Sequence, residues 1–161
     1  MSFVTLQSET PKGAAAAPDA PAAPSSPVLT AEGEADGSKS IRLTLRALKR
    51  IRAAMAKENI APEAGGLRLG ISGGGCSGLS YNIRFDSEPR TRDRVFVFPQ
   101  QHIDPAAPAD APGYRIFVDP KSFIYLHGMI LDYEEAIMRQ GFNFINPNST
   151  KSCGCGTSFS A

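Results

Sequence analysis

The alternation of apolar and polar residues predicts that much of the chain after residue 66 is β-strand. Apolar side chains alternate with polar ones, or run continuously, in short segments bounded by turn-forming residues. These segments are residues 67–71, 81–85, 95–98, 114–118 and 142–145. The first two lie on either side of a glycine-rich segment, residues 73–78, so we expect that segment to be a loop joining two strands.

A helical repeat precedes these strands. Residues 43–58 carry apolar side chains at helical spacing, with basic residues between them. The apolar positions are Leu45, Leu48, Ile51 and Met55. Thr44 is the expected N-cap, because its hydroxyl can accept a hydrogen bond from a free backbone N–H. We therefore predict an amphipathic helix whose basic face is solvated.

A second, shorter helix is predicted at residues 121–126. Asp119 is a favourable N-cap, and Pro120 suits the first helical position because it has no N–H that needs a partner. Gly128 follows the last helical residues and tolerates the backbone conformation with which many helices end.

Two segments lack such patterning. Residues 1–40 are rich in Ala, Pro and Ser, contain one aromatic residue, Phe3, and have a net charge of −3 from two lysines and five acidic residues. They cannot bury enough apolar surface to offset the entropy of ordering, so we predict a disordered tail followed by one domain at residues 41–161. Residues 99–113, rich in Pro and Ala, are predicted to form an exposed loop.

The composition restricts the class of function. The 161 residues have a net charge of +1 and are 42% hydrophobic. This suits one domain with a substantial core and argues against a nucleic-acid or membrane-surface partner. The first 40 residues resemble neither a transit peptide nor a secretory signal. Three cysteines, an odd number, suit a reducing compartment, so we expect a cytoplasmic protein.

All three cysteines lie in segments made of small residues. Cys76 follows three glycines, and Cys153 and Cys155 flank Gly154 near the end of the sequence. Gly154 can adopt a positive φ, which allows the sulfurs of Cys153 and Cys155 to face one centre. Neighbouring glycines leave backbone N–H groups free to donate hydrogen bonds to sulfur. Thiolates prefer zinc, copper(I) and iron-sulfur clusters, so the pattern predicts a metal site formed by the three cysteines.

Three thiolates are one fewer than such sites usually have. A structural zinc ion and a [2Fe-2S] or [4Fe-4S] cluster each normally take four protein ligands. The fourth ligand must then come from elsewhere in the chain or from a second copy, and a two-fold dimer would bring six cysteines to one axis. A site short of ligands and carried on loops should also release what it holds.

Other roles for these residues remain open. A cysteine can be a small buried apolar residue, which suits Cys76 better than the tail pair. A disulfide between Cys153 and Cys155 would be strained by its short loop, and a redox pair would lack the Cys-x-x-Cys spacing. His102, with Asp104 nearby, is a further metal-ligand candidate, although a lone exposed histidine is a weak one.

Four motifs follow one another along the chain. They are Gly74-Gly75-Cys76-Ser77-Gly78 followed by Tyr81, Val118-Asp119-Pro120-Lys121-Ser122, Asn146-Pro147-Asn148, and Cys153-Gly154-Cys155-Gly156 with Ser158-Phe159. In this order they resemble the A-type iron-sulfur cluster carriers, the HesB-like proteins, over residues 41–159. The resemblance implies a mixed, mainly β fold: a compact β-sandwich-type domain with an N-terminal amphipathic helix and one short helix. It also implies a homodimer or higher oligomer that binds a cluster or iron through Cys76, Cys153 and Cys155.

The resemblance affects the interpretation of two segments. Residues 99–113 are longer than the turn that the family has there, so we interpret them as a loop insertion. Residues 129–140 have good helix propensity, yet the family pattern continues as a strand through residues 130–133 toward a turn at Gln140 and Gly141. We predict the strand, because tertiary context overrides propensity.

The cysteine layout and the resemblance together predict a carrier and not an enzyme. It would receive an iron-sulfur cluster, [2Fe-2S] or [4Fe-4S], from an assembly scaffold, hold it through Cys76, Cys153 and Cys155 at a subunit interface, and pass it to apo-proteins. The alternatives are a donor of mononuclear iron, a thiol-disulfide oxidoreductase that uses Cys153 and Cys155, and a zinc-stabilised interaction module. Tyr81 is expected to be a core residue more than a site residue.

Overall fold

β-strands form most of the regular structure in the part of the chain that the computed structural model describes, residues 24, 26–31, 39–73, 78–149, 151–152 and 158–160. The elements are β1 (Val28–Thr30), β2 (Arg42–Thr44), α1 (Leu45–Lys57), β3 (Gly66–Gly73), β4 (Leu79–Asp86), β5 (Arg94–Phe98), a 3-10 helix (Gln100–His102), β6 (Tyr114–Val118), α2 (Pro120–Leu126), β7 (Ile130–Ala136), β8 (Arg139–Ile145), β9 (Lys151–Ser152) and β10 (Ser158–Ser160). The fold is mixed and mainly β, as the sequence predicted.

Within the described residues, the strands form two sheets. The larger has the order β5-β6-β3-β4-β10-β9, and the smaller has the order β1-β2-β7-β8. β3 pairs with β6 and β2 pairs with β7 in parallel, whereas the other pairs are antiparallel. Residues of both sheets and both helices join one buried hydrophobic cluster, which is the arrangement that a sandwich-type core requires.

Helix α1 confirms the predicted amphipathic helix. The Thr44 hydroxyl accepts a hydrogen bond from Ala47 N, as expected of an N-cap. The residues that α1 buries are Ala47, Leu48, Ile51 and Met55. The predicted start at residue 43 is wrong, because Leu43 lies in β2, which pairs with β1 on one side and with β7 on the other.

A short strand lies inside the segment that was predicted to be disordered. β1 pairs with β2, Pro27 O accepts a hydrogen bond from Leu45 N, and Ser26 Oγ accepts one from Arg46 N. This segment therefore satisfies backbone donors at the start of α1 that have no partner within the helix. The prediction that residues 1–40 are disordered is therefore wrong for residues 28–30, which form β1. Residues 1–23, 25 and 32–38 lie outside the described residues.

The strand predicted through residues 130–133 is confirmed, because these residues lie in β7 and not in a helix. The expected turn at Gln140 and Gly141 is wrong, because those residues belong to β8. Ala136 pairs with Arg139, so the two-residue turn consists of Ile137 and Met138. The register also brings the ring of Tyr133 edge-on against its partner on β8, 5.2 Å between centroids, and this packing overrides the local helix propensity.

Arg68 is buried although it occupies a polar position of the alternating strand β3. Its guanidinium contacts the carboxylate of Asp86, and its Nη2 lies 2.6 Å from Oδ2 of Asp93. Residues 87–93, which follow β4, supply that second carboxylate. Burial alone would raise the pKa of Asp93. Hydrogen bonds from Arg68 and from the backbone of Arg90, together with the charges of both residues, lower it below its ordinary value.

The predicted loop at residues 99–113 connects β5 to β6. It begins with the 3-10 helix, and Ile103 then packs against the hydrophobic core. No helix in the described part of the chain is long and apolar enough to cross a lipid bilayer.

Candidate functional site

The three cysteines lie outside the described residues, which stop at Gly73 and at Ser152 and resume at Gly78 and at Ser158. The assignment of Cys76, Cys153 and Cys155 as ligands therefore stays a prediction. The described residues do establish where the two cysteine-bearing segments leave and rejoin the fold.

These attachment points lie at one corner of the larger sheet. Gly73 pairs with Leu79, where β3 ends and β4 begins. Leu79 also pairs with Phe159 of β10, and Phe159 pairs with Ser152 of β9. Neighbouring strands lie about 4.8 Å apart, so Leu79 and Ser152 are roughly 10 Å apart. Leu79 is the third residue after Cys76, and Ser152 immediately precedes Cys153.

The Asn146-Pro147-Asn148 turn fixes the chain just before β9. The buried Asn146 side chain donates hydrogen bonds to Tyr125 O at 2.9 Å and to the Tyr81 hydroxyl at 3.2 Å, and its Oδ1 accepts one from Asn148 N at 2.9 Å. Asn148 Nδ2 donates to His127 O at 2.8 Å. The two amides thus satisfy carbonyls at the C-terminal end of α2, where the helix itself offers no donor.

The motif at the start of α2 connects that helix to β3. Asp119 accepts a hydrogen bond from Ser122 N at 3.0 Å, which confirms the predicted N-cap. The Ser122 hydroxyl accepts one from Ile71 N at 2.9 Å, two residues before the end of β3. The start of α2 is therefore joined to the strand that leads into the Cys76 segment. Its end is joined to the turn that precedes the segment with Cys153 and Cys155.

Tyr81 packs between β4 and β8, as expected of a core residue. Its ring stacks on Phe144 with 4.0 Å between centroids and 2° between planes. Burial raises the pKa of Tyr81 to about 12, and the hydrogen bond from Asn146 offsets this in part. The phenol is therefore neutral at physiological pH and helps to hold the final turn against β4.

The other metal-ligand candidate has a local structural role. The Asp104 carboxylate accepts a hydrogen bond from Ala106 N at 3.1 Å, within the loop that also contains the exposed His102. In the ranges that the structure describes, no group of three His, Cys, Asp or Glu side chains could hold a metal ion.

The sequence did not reveal the capping of α2 by Asn146 and Asn148. Two asparagines around a proline, directly after a strand, indicate a turn. Their partners Tyr125 and His127 lie about twenty residues upstream, and no local pattern indicates that pairing.

Known proteins resemble this chain in sequence and in structure. A sequence profile of the family described as iron-sulphur cluster biosynthesis matches residues 39–157. The protein HesB of Leptolyngbya boryana is 36% identical over 122 residues, 76% of this chain and 90% of that protein. The iron-binding protein IscA of Proteus mirabilis is 36% identical over 120 residues, 74% of this chain and 97% of that protein.

The fold is also similar to that of a solved structure. The crystal structure of IscA with the [2Fe-2S] cluster superimposes with a TM-score of 0.60 at 25% sequence identity. The match covers 74% of this chain and 96% of the other.

Proposed function

The chain belongs to the iron-sulphur cluster biosynthesis family, and on that premise we propose that it is a carrier that receives an iron-sulfur cluster from an assembly scaffold and passes it to apo-proteins. In this proposal the cluster is cargo, and the protein is not an enzyme. Cys76, Cys153 and Cys155 hold the cargo as thiolates, so holding weakens as the pH falls and the thiolates take up protons. The need for reduced thiols suits the cytoplasm.

One structural observation supports this proposal above the others. The residues that flank both cysteine-bearing segments meet on the adjacent strands β4, β10 and β9, with attachment points roughly 10 Å apart. A chain spans up to about 3.5 Å per residue, so the few residues beyond each attachment point are enough for the segments to meet. The hydrogen bonds of α2 to β3 and to the Asn146 turn hold this corner together.

The ligand assignment is tested by anaerobic reconstitution with iron and sulfide. We expect Cys76→Ser and Cys155→Ser each to lose most of the iron and acid-labile sulfide that the parent binds per chain. Ser87→Ala, in an exposed turn, is the matched control and should load like the parent. A Cys155→Ser chain that binds as much sulfide as the parent would refute the assignment.

The carrier role needs a separate test, because a protein can bind a cluster without releasing it. The loaded protein is mixed with an apo-ferredoxin in the presence of an iron chelator, and the circular dichroism of the acceptor is followed. Direct transfer predicts that the acceptor is filled despite the chelator. If the acceptor stays empty while the donor keeps its cluster, the protein binds but does not carry.

The cargo could instead be mononuclear iron, as suggested by a relative named an iron-binding protein and by a ligand set of three thiolates. The two cargoes differ in acid-labile sulfide. Protein isolated anaerobically from cells should contain about as much sulfide as iron if it carries a cluster, because both cluster types have equal numbers of the two atoms. Iron without sulfide would favour the mononuclear donor.

A second copy of the chain would supply the ligand that three thiolates lack. We therefore expect the loaded protein to be a dimer or a higher oligomer with the cluster shared between chains. Native mass spectrometry under anaerobic conditions measures chains and clusters in one particle. A monomer that retains a complete cluster would contradict the shared site.

A further inference from the structure

Helix α1 exposes a uniformly basic surface. Its thirteen residues include no acid, and its exposed cations are Arg46, Lys49, Arg50, Arg52 and Lys57. Arg46 and Arg50 lie one turn apart, where like charges repel, and Arg46 lies in the first turn, where a cation opposes the helix dipole. None of the five forms an ion pair with another described residue. The stability of the helix does not explain this charge pattern.

The β7–β8 hairpin has an exposed apolar tip. Ile137 is 103% exposed and Met138 is 96% exposed, so neither contributes burial to this fold. Two-residue hairpin turns favour Gly, Asn and Asp, which adopt positive φ readily. Both residues keep negative φ, since Asn59 is the only non-glycine residue with positive φ in the described ranges. The turn therefore does not explain the choice of two large apolar side chains.

The basic face and the apolar tip are adjacent. A groove of about 360 Å³ lies between α1 and β7, and it is lined by Arg46, Lys49, Arg50, Ala53, Tyr133 and Glu135. Within the groove, the Arg50 guanidinium lies 5.2 Å from the centre of the Tyr133 ring. Glu135 is only two residues before Ile137. We call this groove together with Ile137 and Met138 the α1–hairpin surface.

The apolar tip of the α1–hairpin surface lies at the end of the β7–β8 hairpin opposite to the Asn146 turn. Ile130 pairs with Ile145 at the end of the hairpin where the Asn146 turn begins, and Ala136 pairs with Arg139 at the other end. Six residue steps of about 3.3 Å separate these ends, roughly 20 Å. The tip is thus at the end of the hairpin that does not lead into β9 and the segment that carries Cys153 and Cys155.

We propose that the α1–hairpin surface docks a partner protein that presents an apolar pocket flanked by carboxylates. Ile137 and Met138 would enter the pocket, and Arg46, Lys49 and Arg50 would face the carboxylates. Apolar anchors surrounded by charges are typical of protein interfaces.

A protein fits this surface better than a nucleic acid or an anionic bilayer does. Glu134 and Glu135 lie at the base of the apolar tip and would repel either array of phosphates. A nucleic-acid backbone also offers no pocket for Ile137 and Met138. A protein surface can instead place single carboxylates opposite single cations.

A synthetic two-helix peptide, with a Leu-lined groove between its helices and Glu along both rims of that groove, serves as the probe for this surface. In an NMR titration of the full chain, we expect shifts at residues 46–53 and 133–138, with affinity that falls as NaCl rises from 50 to 300 mM. Arg46→Glu with Arg50→Glu should weaken binding at least tenfold, and Ile137→Ser with Met138→Ser at least fivefold.

The matched control changes the same residue types elsewhere on the surface. Arg92→Glu with Ile124→Ser alters an exposed cation and a 65% exposed apolar residue, and it should bind within twofold of the parent. Amide spectra and thermal melts confirm that each variant is folded, as substitutions of exposed side chains should be.

Four results would overturn the proposal. They are no peptide binding, equal binding of a peptide with Ser in place of Leu, equal loss of binding in the control variant, and tighter binding of a DNA duplex or phosphatidylglycerol vesicles through the same residues. The surface contains no residue of the cysteine-bearing segments. Its test therefore succeeds or fails independently of cluster loading.

Discussion

Single buried polar side chains fix the path of the chain before the segment that carries Cys153 and Cys155. Asn146 is 5% exposed, and its side-chain amide connects α2, β4 and the following turn through three hydrogen bonds. Only a side chain with both donors and an acceptor can satisfy these partners at once. Arg68 plays a comparable part in the larger sheet, where its guanidinium forms ion pairs with Asp86 and Asp93.

Asn146→Ala should destabilise the fold by about 2 kcal/mol, because Tyr125 O and Asn148 N lose a partner in a buried place. Urea unfolding measures the change in the free energy of unfolding. Asn82→Ala is the control, since that exposed amide donates only to Ser72, and it should cost less than about 0.5 kcal/mol. Equal costs for the two variants would show that the Asn146 contacts contribute little.

Asp93 should make stability depend on pH on the acid side. Its pKa is lower in the fold than its ordinary value of 3.8, so its contribution is complete above that value and is lost as the pH falls through the folded pKa. Asp93→Asn should lower the free energy of unfolding by about 2 kcal/mol at pH 7 and should flatten the loss below about pH 4. Denaturant unfolding between pH 2.5 and 7 measures both effects. An unchanged acid slope in the variant would assign that slope to other carboxylates.

At the scale of elements, α2 connects the two halves of the candidate site. It is only seven residues long, so its own propensity cannot hold it in place. Three contacts fix α2 instead: the cap from Asp119, the hydrogen bond between the Ser122 hydroxyl and β3, and the asparagine amides beyond its end. The family motifs without cysteine therefore have structural roles here.

Ser122→Ala should release α2 from β3. Ile71 N would lose its hydrogen-bond acceptor, and we expect a cost of about 1 kcal/mol together with faster hydrogen exchange at the Ile71 amide. Ser87→Ala, a serine in an exposed turn, provides the reference for the general effect of removing a hydroxyl. Unchanged exchange at Ile71 would mean that another acceptor replaces Ser122.

At the scale of the molecule, the fold extends further toward the N-terminus than composition suggests. β1 adds a strand to the smaller sheet, and residues 26 and 27 supply acceptors to the start of α1. Ala31 is 4% exposed and belongs to the core cluster. Residues 26–31 thus complete the edge of the smaller sheet beside the helix.

Truncation distinguishes these residues from the sequence before them. Removal of residues 1–23 should leave the Tm within about 2 °C, because the described contacts begin at Ser26. Removal of residues 1–38 should lower the Tm by about 8 °C, since β1 is lost together with the two acceptors, Pro27 O and Ser26 Oγ, that bond backbone N–H groups at the start of α1. Differential scanning calorimetry of the two truncated chains gives the comparison. Equal Tm values for the two would show that β1 does not stabilise the fold.

The sequence by itself determined the elements whose pattern is local. Alternation predicted β3 to β6 and β8, and helical spacing with the cap at Thr44 predicted α1, because side-chain direction follows directly from backbone geometry. Cap chemistry at Asp119 and Pro120 predicted α2. The cysteine layout predicted the ligand set, which lies outside the described residues and stays a prediction.

Only the tertiary structure decided the features that depend on partners distant in sequence. Residues 42–44 became a strand because β1 and β7 pair with them, and the β7–β8 turn moved to Ile137 and Met138 because the register places Tyr133 opposite Phe142. Arg68 is buried because residues 87–93 return over its face of the sheet. In each case the deciding hydrogen bond or contact joins residues that the local pattern cannot relate, so the fold supplied what the sequence pattern left open.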